Sequence, residues 1–351
     1  MKNLATIDEI DRMIRRDPAR RGLIATEEAR GPLCPGQLAL AAVDLADCGQ
    51  FVVIVTGFFI PAATPPAAET DGPPGAVMLA AALIQCGMTV KIVTDAFCRR
   101  AVEVAAQEMH LPESTVVIPG NDLEEIERWF RTTAAEQGAR WTHLIAIERV
   151  GPSHTPQSIT QQLSPNQSTD LAEFQELVPP HEQNHNYNMR GVCIDAVTPP
   201  LHRLFELAHQ VPGIKTIGIG DGGNEIGMGS ISWQELRLRL NNESAARTPC
   251  RIATDWTIVA GVSNWGGMAL AASILWLKDQ ATVTDAWTTR QQLQLLERMV
   301  AEGPAVDGIT RLPEPTVDGL PFLTYIQAWE GIQRAVHSDR DSLSLGHGAT
   351  C

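Results

Sequence analysis

Short, almost uninterrupted apolar runs rich in β-branched residues recur along the chain: FVVIVTG (51–57), TVKIVTD (89–95), STVVIPG (114–120), THLIAIE (142–148), IKTIGIG (214–220) and DWTIVAG (255–261). None alternates apolar with polar positions, so each reads as a strand buried on both faces. Between them stand helix candidates: GAVMLAAALIQCG (75–87), FCRRAVEVAAQEM (97–109) and DLEEIERWFRTTAAEQG (122–138). Alternation of this kind predicts an α/β fold, a mostly parallel, Rossmann-like sheet flanked by helices. Such sheets hold ligands beyond the carboxyl ends of their strands. Attention therefore falls on Thr56-Gly57, Thr94-Asp95, Glu148-Arg149, Asp221-Gly222-Gly223-Asn224-Glu225 and Gly261-Val262-Ser263-Asn264.

Other segments depart from this rhythm. Leu4, Ile7, Ile10 and Ile14 share one side of a predicted N-terminal amphipathic helix. PAATPPAAETDGPPG (61–75) is too rich in proline for helix or strand and reads as a loop over the first strand end. Residues 151–190 are polar and read as a lid or insertion, and HSDRDSLSLGHGATC (337–351) as a flexible tail. The expected organisation is a single α/β domain over residues 1–336, followed by that tail.

The apolar fraction of 44% and charged fraction of 19% belong to a globular protein, and no window reaches the ~20 apolar residues of a membrane span. A net charge of −14 without a basic stripe argues against nucleic acid. The seven cysteines are scattered and form no C-x-x-C pair, which excludes a disulfide scaffold or zinc ribbon and fits a reducing compartment. The N-terminus lacks the apolar core of a secretory signal, and Asp8, Glu9, Asp11 and Asp17 are unusual in a transit peptide, so a cytoplasmic location is expected.

GIGDGGNEIGMG (218–229) follows a strand and contains G-x-G-x-x-G as Gly218, Gly220 and Gly223. In a dinucleotide site that loop faces pyrophosphate, which Asp221 and Glu225 would repel, and no nucleotide cofactor is expected. A bare backbone beside Asp221, Asn224 and Glu225 suits instead a carboxylate substrate whose amine must exchange protons. Arg149 and Arg190 flank the polar insertion and suggest an anion pocket. Glu69-Thr70-Asp71-Gly72 lies where a loop could close that pocket, and Ser263-Asn264 adds hydrogen-bonding groups after another strand. His181-Glu182-Gln183-Asn184-His185 satisfies the zinc-hydrolase pattern H-E-x-x-H, but its flanks VPP and NYNMRG provide no apolar helical face.

Taken together, TGFFIP (56–61), ETDGPPGA (69–76), IERVGPS (147–153), NMRG (188–191), GIGDGGNEIGMG (218–229) and AGVSNWGG (260–267) resemble the D-glutamate cyclase family, in particular its C-terminal cyclase-like domain, from about Arg21 to about Ala335. The resemblance implies a lyase that dehydrates D-glutamate to 5-oxo-D-proline by attack of the amine on the γ-carboxyl carbon. Under it, Arg149 and Arg190 hold the substrate carboxylates, while Thr56, Gly57 and the Gly222-Gly223 backbone donate hydrogen bonds, including to the oxyanion. Glu148 or Asp221 is the base and Glu225 or Asp71 the acid; Asn224 orients the reacting centre, and Gly72, Ser263 and Asn264 complete the substrate site. Asp71, Asp221 and Glu225 are equally candidates for holding Mg²⁺ or Mn²⁺. The expected partner is a small amino acid, with no membrane or nucleic acid and with homo-oligomerisation left open. The rival readings are a non-enzymatic amino-acid-binding protein and a zinc hydrolase built on His181 and His185.

Overall fold

The computed structural model describes residues 4–17, 22–24, 27–134, 140–162, 168–240 and 242–345. Its strands are β1 (Phe51–Thr56), β2 (Phe59–Ile60), β3 (Ala67–Ala68), β4 (Thr89–Val93), β5 (Val116–Val117), β6 (His143–Ile147), β7 (Lys215–Gly220) and β8 (Trp256–Val259). The six apolar runs of the sequence all join one parallel sheet in the order β5-β4-β1-β6-β7-β8, and β2 pairs with β3 in a separate antiparallel ribbon. From β1 the sheet grows outward to β4 and β5, and the chain then returns to place β6 on β1's other side. That reversal makes the β1–β6 junction a topological switch point, where α/β sheets open a crevice for ligands.

The strands are apolar on both faces because helices cover both. Val52 and Ile54 of β1, with Ile145, Ile147, Ile217 and Ile219, belong to one apolar layer with helices Gln37–Cys48, Pro73–Gln85, Ser263–Leu277 and Gln327–Leu345. Val53 and Val55, with Leu144 and Ala146, face the opposite side and pack against helices Leu123–Thr133, Arg203–Ala208 and Trp233–Leu240. The two-residue period of a strand sends adjacent residues to opposite layers. In the N-terminal helix Ala5–Ile14, Ile7, Ile10 and Ile14 are fully buried, whereas Leu4, just outside the helix, is 40% exposed. No helix among the described residues is long and apolar enough to cross a membrane.

Three segments differ from the pattern-based expectation. Within 61–75, Ala67–Ala68 forms a strand, and Pro73 and Pro74 open the helix Pro73–Gln85. Proline's missing N–H costs nothing in a first helical turn, so a proline-rich run can start a helix. The 151–190 segment contains helices Pro156–Gln162 and Ser168–Leu177, and its Ile159, Phe174 and Val178 form a small core with Trp233. It is a packed appendage, and Asn188, Met189 and Arg190 at its far end are the residues that reach the cavity described below. Residues 337–345 of the expected tail continue the last helix to Leu345, and 346–351 lie outside the described residues. The STVVIPG run also shortens to Val116–Val117, as befits a sheet edge whose run ends at Pro119.

Helices Pro73–Gln85 and Ser263–Leu277 cross in near backbone contact. A Cβ on Gly267 would lie 2.9 Å from the Cα, carbonyl carbon and oxygen of Gly75. Gly267→Ala should therefore lower stability by about 1–3 kcal/mol, read as a fall in the denaturation midpoint; an unchanged midpoint would show that the crossing is not tight.

His154, 2% exposed, has its pKa pushed down to about 3, chiefly by burial, with Arg251 adding to the effect. The unfolded chain takes up this proton near pH 6.5 and the native state does not, so the native state loses stability as pH falls from about 6.5 toward about 3. His154→Asn should flatten that part of the stability profile, measured by urea denaturation across the acid range. An equal slope in the variant would assign acid sensitivity elsewhere.

Candidate active site

A cavity of about 310 Å³ opens at the switch point, among the carboxyl ends of β1, β6 and β7. Glu148 follows β6 directly, 5% exposed, with a φ of +45° that an L-residue adopts only at a cost. This backbone turn places its carboxylate in the cavity, where Oε2 accepts the Ser263 hydroxyl at 2.6 Å. Asp221 follows β7, 2% exposed, and its Oδ2 accepts the Ser263 amide at 3.1 Å. Both acids therefore meet at the first residue of helix Ser263–Leu277, whose amide end favours negative charge.

The glycines of 218–229 let the chain double back on itself. A Cβ on Gly218 would lie 2.4 Å from the Cα of Gly227, which itself has a φ of +108°. In the loop between them, Glu225 accepts from Gly222 N and Gly223 N, both at 2.7 Å, and from Asp221 N at 3.3 Å. The amides expected to cradle an oxyanion thus hold the protein's own carboxylate, and the loop is locked by it. Asn224 donates its Nδ2 to the Tyr187 carbonyl at 2.8 Å, while its Oδ1 is buried without a hydrogen-bond partner. Because Asn224 lines the cavity, that acceptor is suited to a donor on a bound ligand.

Other expected residues have different tasks. Arg149 is 2% exposed and forms an ion pair with Asp95, and it donates to the Gly57 and Pro199 carbonyls at 2.8 Å each. With both of its Nη atoms committed to these partners and no place in the cavity wall, it ties β1, β4 and β6 together. Asp71 lies below the cavity floor, where Oδ1 accepts Asn264 N at 2.8 Å and Oδ2 accepts Ser263 N at 3.0 Å, so it caps the 263–277 helix from another loop. Asn264 completes the joint by accepting Gly72 N and Gly75 N, both at 2.9 Å. Thr56 is fully buried, with its hydroxyl beside Gly72. The Tyr325 phenol nearby is pushed well above its ordinary pKa, first by burial and then by Asp71, and stays neutral.

The H-E-x-x-H residues do not form a helical pair. His181 lies in the short turn Pro180–Glu182, and His185 in the loop after it, paired with Asp195. The imidazoles therefore lack the shared helical face that a zinc hydrolase needs.

The acids fall into two groups whose carboxylate oxygens lie within 4.8 Å of one another: Glu148, Asp221 and Glu225, and Asp71, Asp221 and Asp318. Asp318, and Arg311 of the cavity wall, were not apparent from strand ends, whereas Glu69, in the loop expected to close the pocket, does line the cavity. Arg311 and Asp318 come from the loop 306–319, where VDG occurs at both 306–308 and 317–319, the one sequence signal that marks it. Asp307 gathers this loop by accepting Ile309 N and Thr310 N at 2.8 Å, Thr316 Oγ1 at 2.7 Å and Gly319 N at 2.8 Å. The loop presents Arg311 to the cavity, where its side chain makes no ion pair or hydrogen bond with the described residues. Arg190, as expected, stands at the same rim, and its guanidinium donates to the Ile309 carbonyl at 3.0 Å. The cavity thus has a floor of carboxylates and a rim with two guanidiniums.

A model of the D-glutamate cyclase-like C-terminal family matches residues 10–162 and 157–332. The chain is also 28% identical over 341 residues to the D-glutamate cyclase, mitochondrial, of Homo sapiens, an alignment that covers 90% of this chain and 49% of that protein. The chain thus spans about half the length of that relative. With the family model matching most of its residues, the chain belongs to the D-glutamate cyclase-like C-terminal family.

The geometry separates a structural acid from a cavity acid. Asp71→Asn should cost about 1–3 kcal/mol of stability, because the helix amides lose a charged acceptor. Glu148→Gln should cost less, since the cavity lets water reach the amide. The reverse order in denaturant titrations would show that the two roles are misassigned.

Proposed function

We propose that the protein is a lyase that cyclises D-glutamate to 5-oxo-D-proline and water. The observation that carries this reading is the opposition of charges across the cavity. Glu148, Asp221 and the unpartnered Asn224 Oδ1 suit an ammonium group, and Arg190 and Arg311 suit carboxylates. An amino acid with two carboxylates matches both sides. Family membership supports the same reaction class.

Cyclisation transfers two protons from the ammonium to the oxygen that departs as water, as the new C–N bond replaces a C–O bond. Glu148 is placed to take the first proton, since it lines the cavity and its Oε2 is steadied by Ser263 Oγ. Asp221 holds the ammonium beside it, and the two guanidiniums bend the substrate so that amine and γ-carboxyl meet. Glu148, Asp221 and Glu225 also form an all-oxygen donor set suited to Mg²⁺ or Mn²⁺, which would draw charge from the γ-carboxyl.

Incubation with D- and L-glutamate, with and without Mn²⁺ or chelator, and with 5-oxoproline followed by mass, tests the proposal. Product from D-glutamate is expected. Saturable binding with unchanged release would identify a binding protein, and the absence of product in every arm would overturn the lyase reading. Glu148→Gln should lower kcat by about 10²–10⁴-fold. Arg311→Met should act mainly on KM, raising it about tenfold or more as one charged contact is lost.

A further inference from the structure

His185 has chemistry that the cavity does not use. Its Nδ1 lies 2.5 Å from Asp195 Oδ2, and one ligand atom from each of His185, Cys193 and Asp195 falls within 4.8 Å of the others. The three residues stand at the base of a tight turn. Tyr187 and Cys193 are bridged in antiparallel fashion, and Asn188 Oδ1 accepts Arg190 N at 3.0 Å and Val192 N at 3.1 Å across the tip. Asp195 is oriented from behind, because its Oδ1 accepts Asn186 N at 2.6 Å and Asn186 Nδ2 at 2.8 Å. The His185 and Asp195 side chains remain 38% and 40% exposed, and Cys193 is exposed.

We propose that His185, Cys193 and Asp195 form a second metal site, apart from the carboxylate cavity, for a borderline divalent cation such as Zn²⁺. A thiolate, an imidazole and a carboxylate together select Zn²⁺ over Mg²⁺ or Ca²⁺, which prefer oxygen alone. Three protein ligands leave a fourth, solvent-facing position for water. Asn186 supplies the outer hydrogen bonds that commonly fix a metal-bound carboxylate. Binding forms a Zn–S bond and releases the Cys193 thiol proton to solvent, with no change in oxidation state. The ion closes the base of the turn whose tip carries Met189 and Arg190 to the cavity, so it would brace that rim from outside.

The site can be tested on the full chain without any assay of turnover. Co²⁺ should bind with a sulfur-to-metal charge-transfer band that Cys193→Ser abolishes. Zn²⁺ should slow alkylation of Cys193, followed by peptide mass, about tenfold or more, because the metal-bound thiolate is withdrawn as a nucleophile. His185→Ala and Asp195→Asn should each relieve that protection, and Glu148→Gln should leave it intact. The proposal is overturned by absence of the band, by protection that persists in His185→Ala, or by protection lost in Glu148→Gln. Failure here would leave the cyclase reading untouched, since none of these measurements involves glutamate.

Discussion

Carboxylates removed from water must be met by donors, and this protein gathers Asp71, Glu148, Asp221, Glu225 and Asp318 at one end of its sheet, each 5% exposed or less. The donors are mostly backbone amides. Gly222 and Gly223 serve Glu225, while Ser263 and Asn264, at the start of a helix, serve Asp71 and Asp221. Amides fixed by secondary structure do not reorient, so the carboxylates they hold are fixed as well. The concentration of negative charge is therefore a consequence of where parallel strands end and helices begin.

Much of the surrounding architecture serves that arrangement. The close crossing at Gly75 and Gly267 brings the 69–72 loop under the 263–277 helix, which lets Asp71 cap a helix far away in sequence. The doubling back at Gly218 and Gly227 brings Glu225 beneath its own loop. The buried Arg149–Asp95 pair lies one layer behind, where it joins three strand ends without adding charge to the cavity. Breaking such a pair leaves an unmatched charge, which makes it a structural fixture. Positive charge at the cavity comes instead from Arg190 and Arg311, on two loops that extend beyond the strand ends.

Legibility differed by residue. Glu148, Asp221, Asn224 and Glu225 stand immediately after strands, and the geometry of a parallel sheet put them at the cavity as their position implied. Arg149 follows the same rule and yet points elsewhere, because neighbouring strand-end residues project to different sides and only packing shows which partner each meets. Arg311 and Asp318 belong to a loop whose path depends on the Asp307 hydrogen bonds and on Val306 donating to Ala68. The H-E-x-x-H spacing shows the reverse: a pattern with a mechanism on a helix has none in a loop, and the side chain that His185 pairs with is Asp195, ten residues on.

Taken alone, the amino-acid sequence determined the six strands, the helices between them and the end of the sheet where the cavity opens, because period and run length are local properties of the chain. It also determined the family, through ordered blocks spread along most of its length. The tertiary structure decided which acids line the cavity and which brace a helix, and which arginines stand at its rim. Those outcomes depend on contacts between residues as far apart as Asp71 and Ser263, and such contacts exist only once the sheet and its helices are packed.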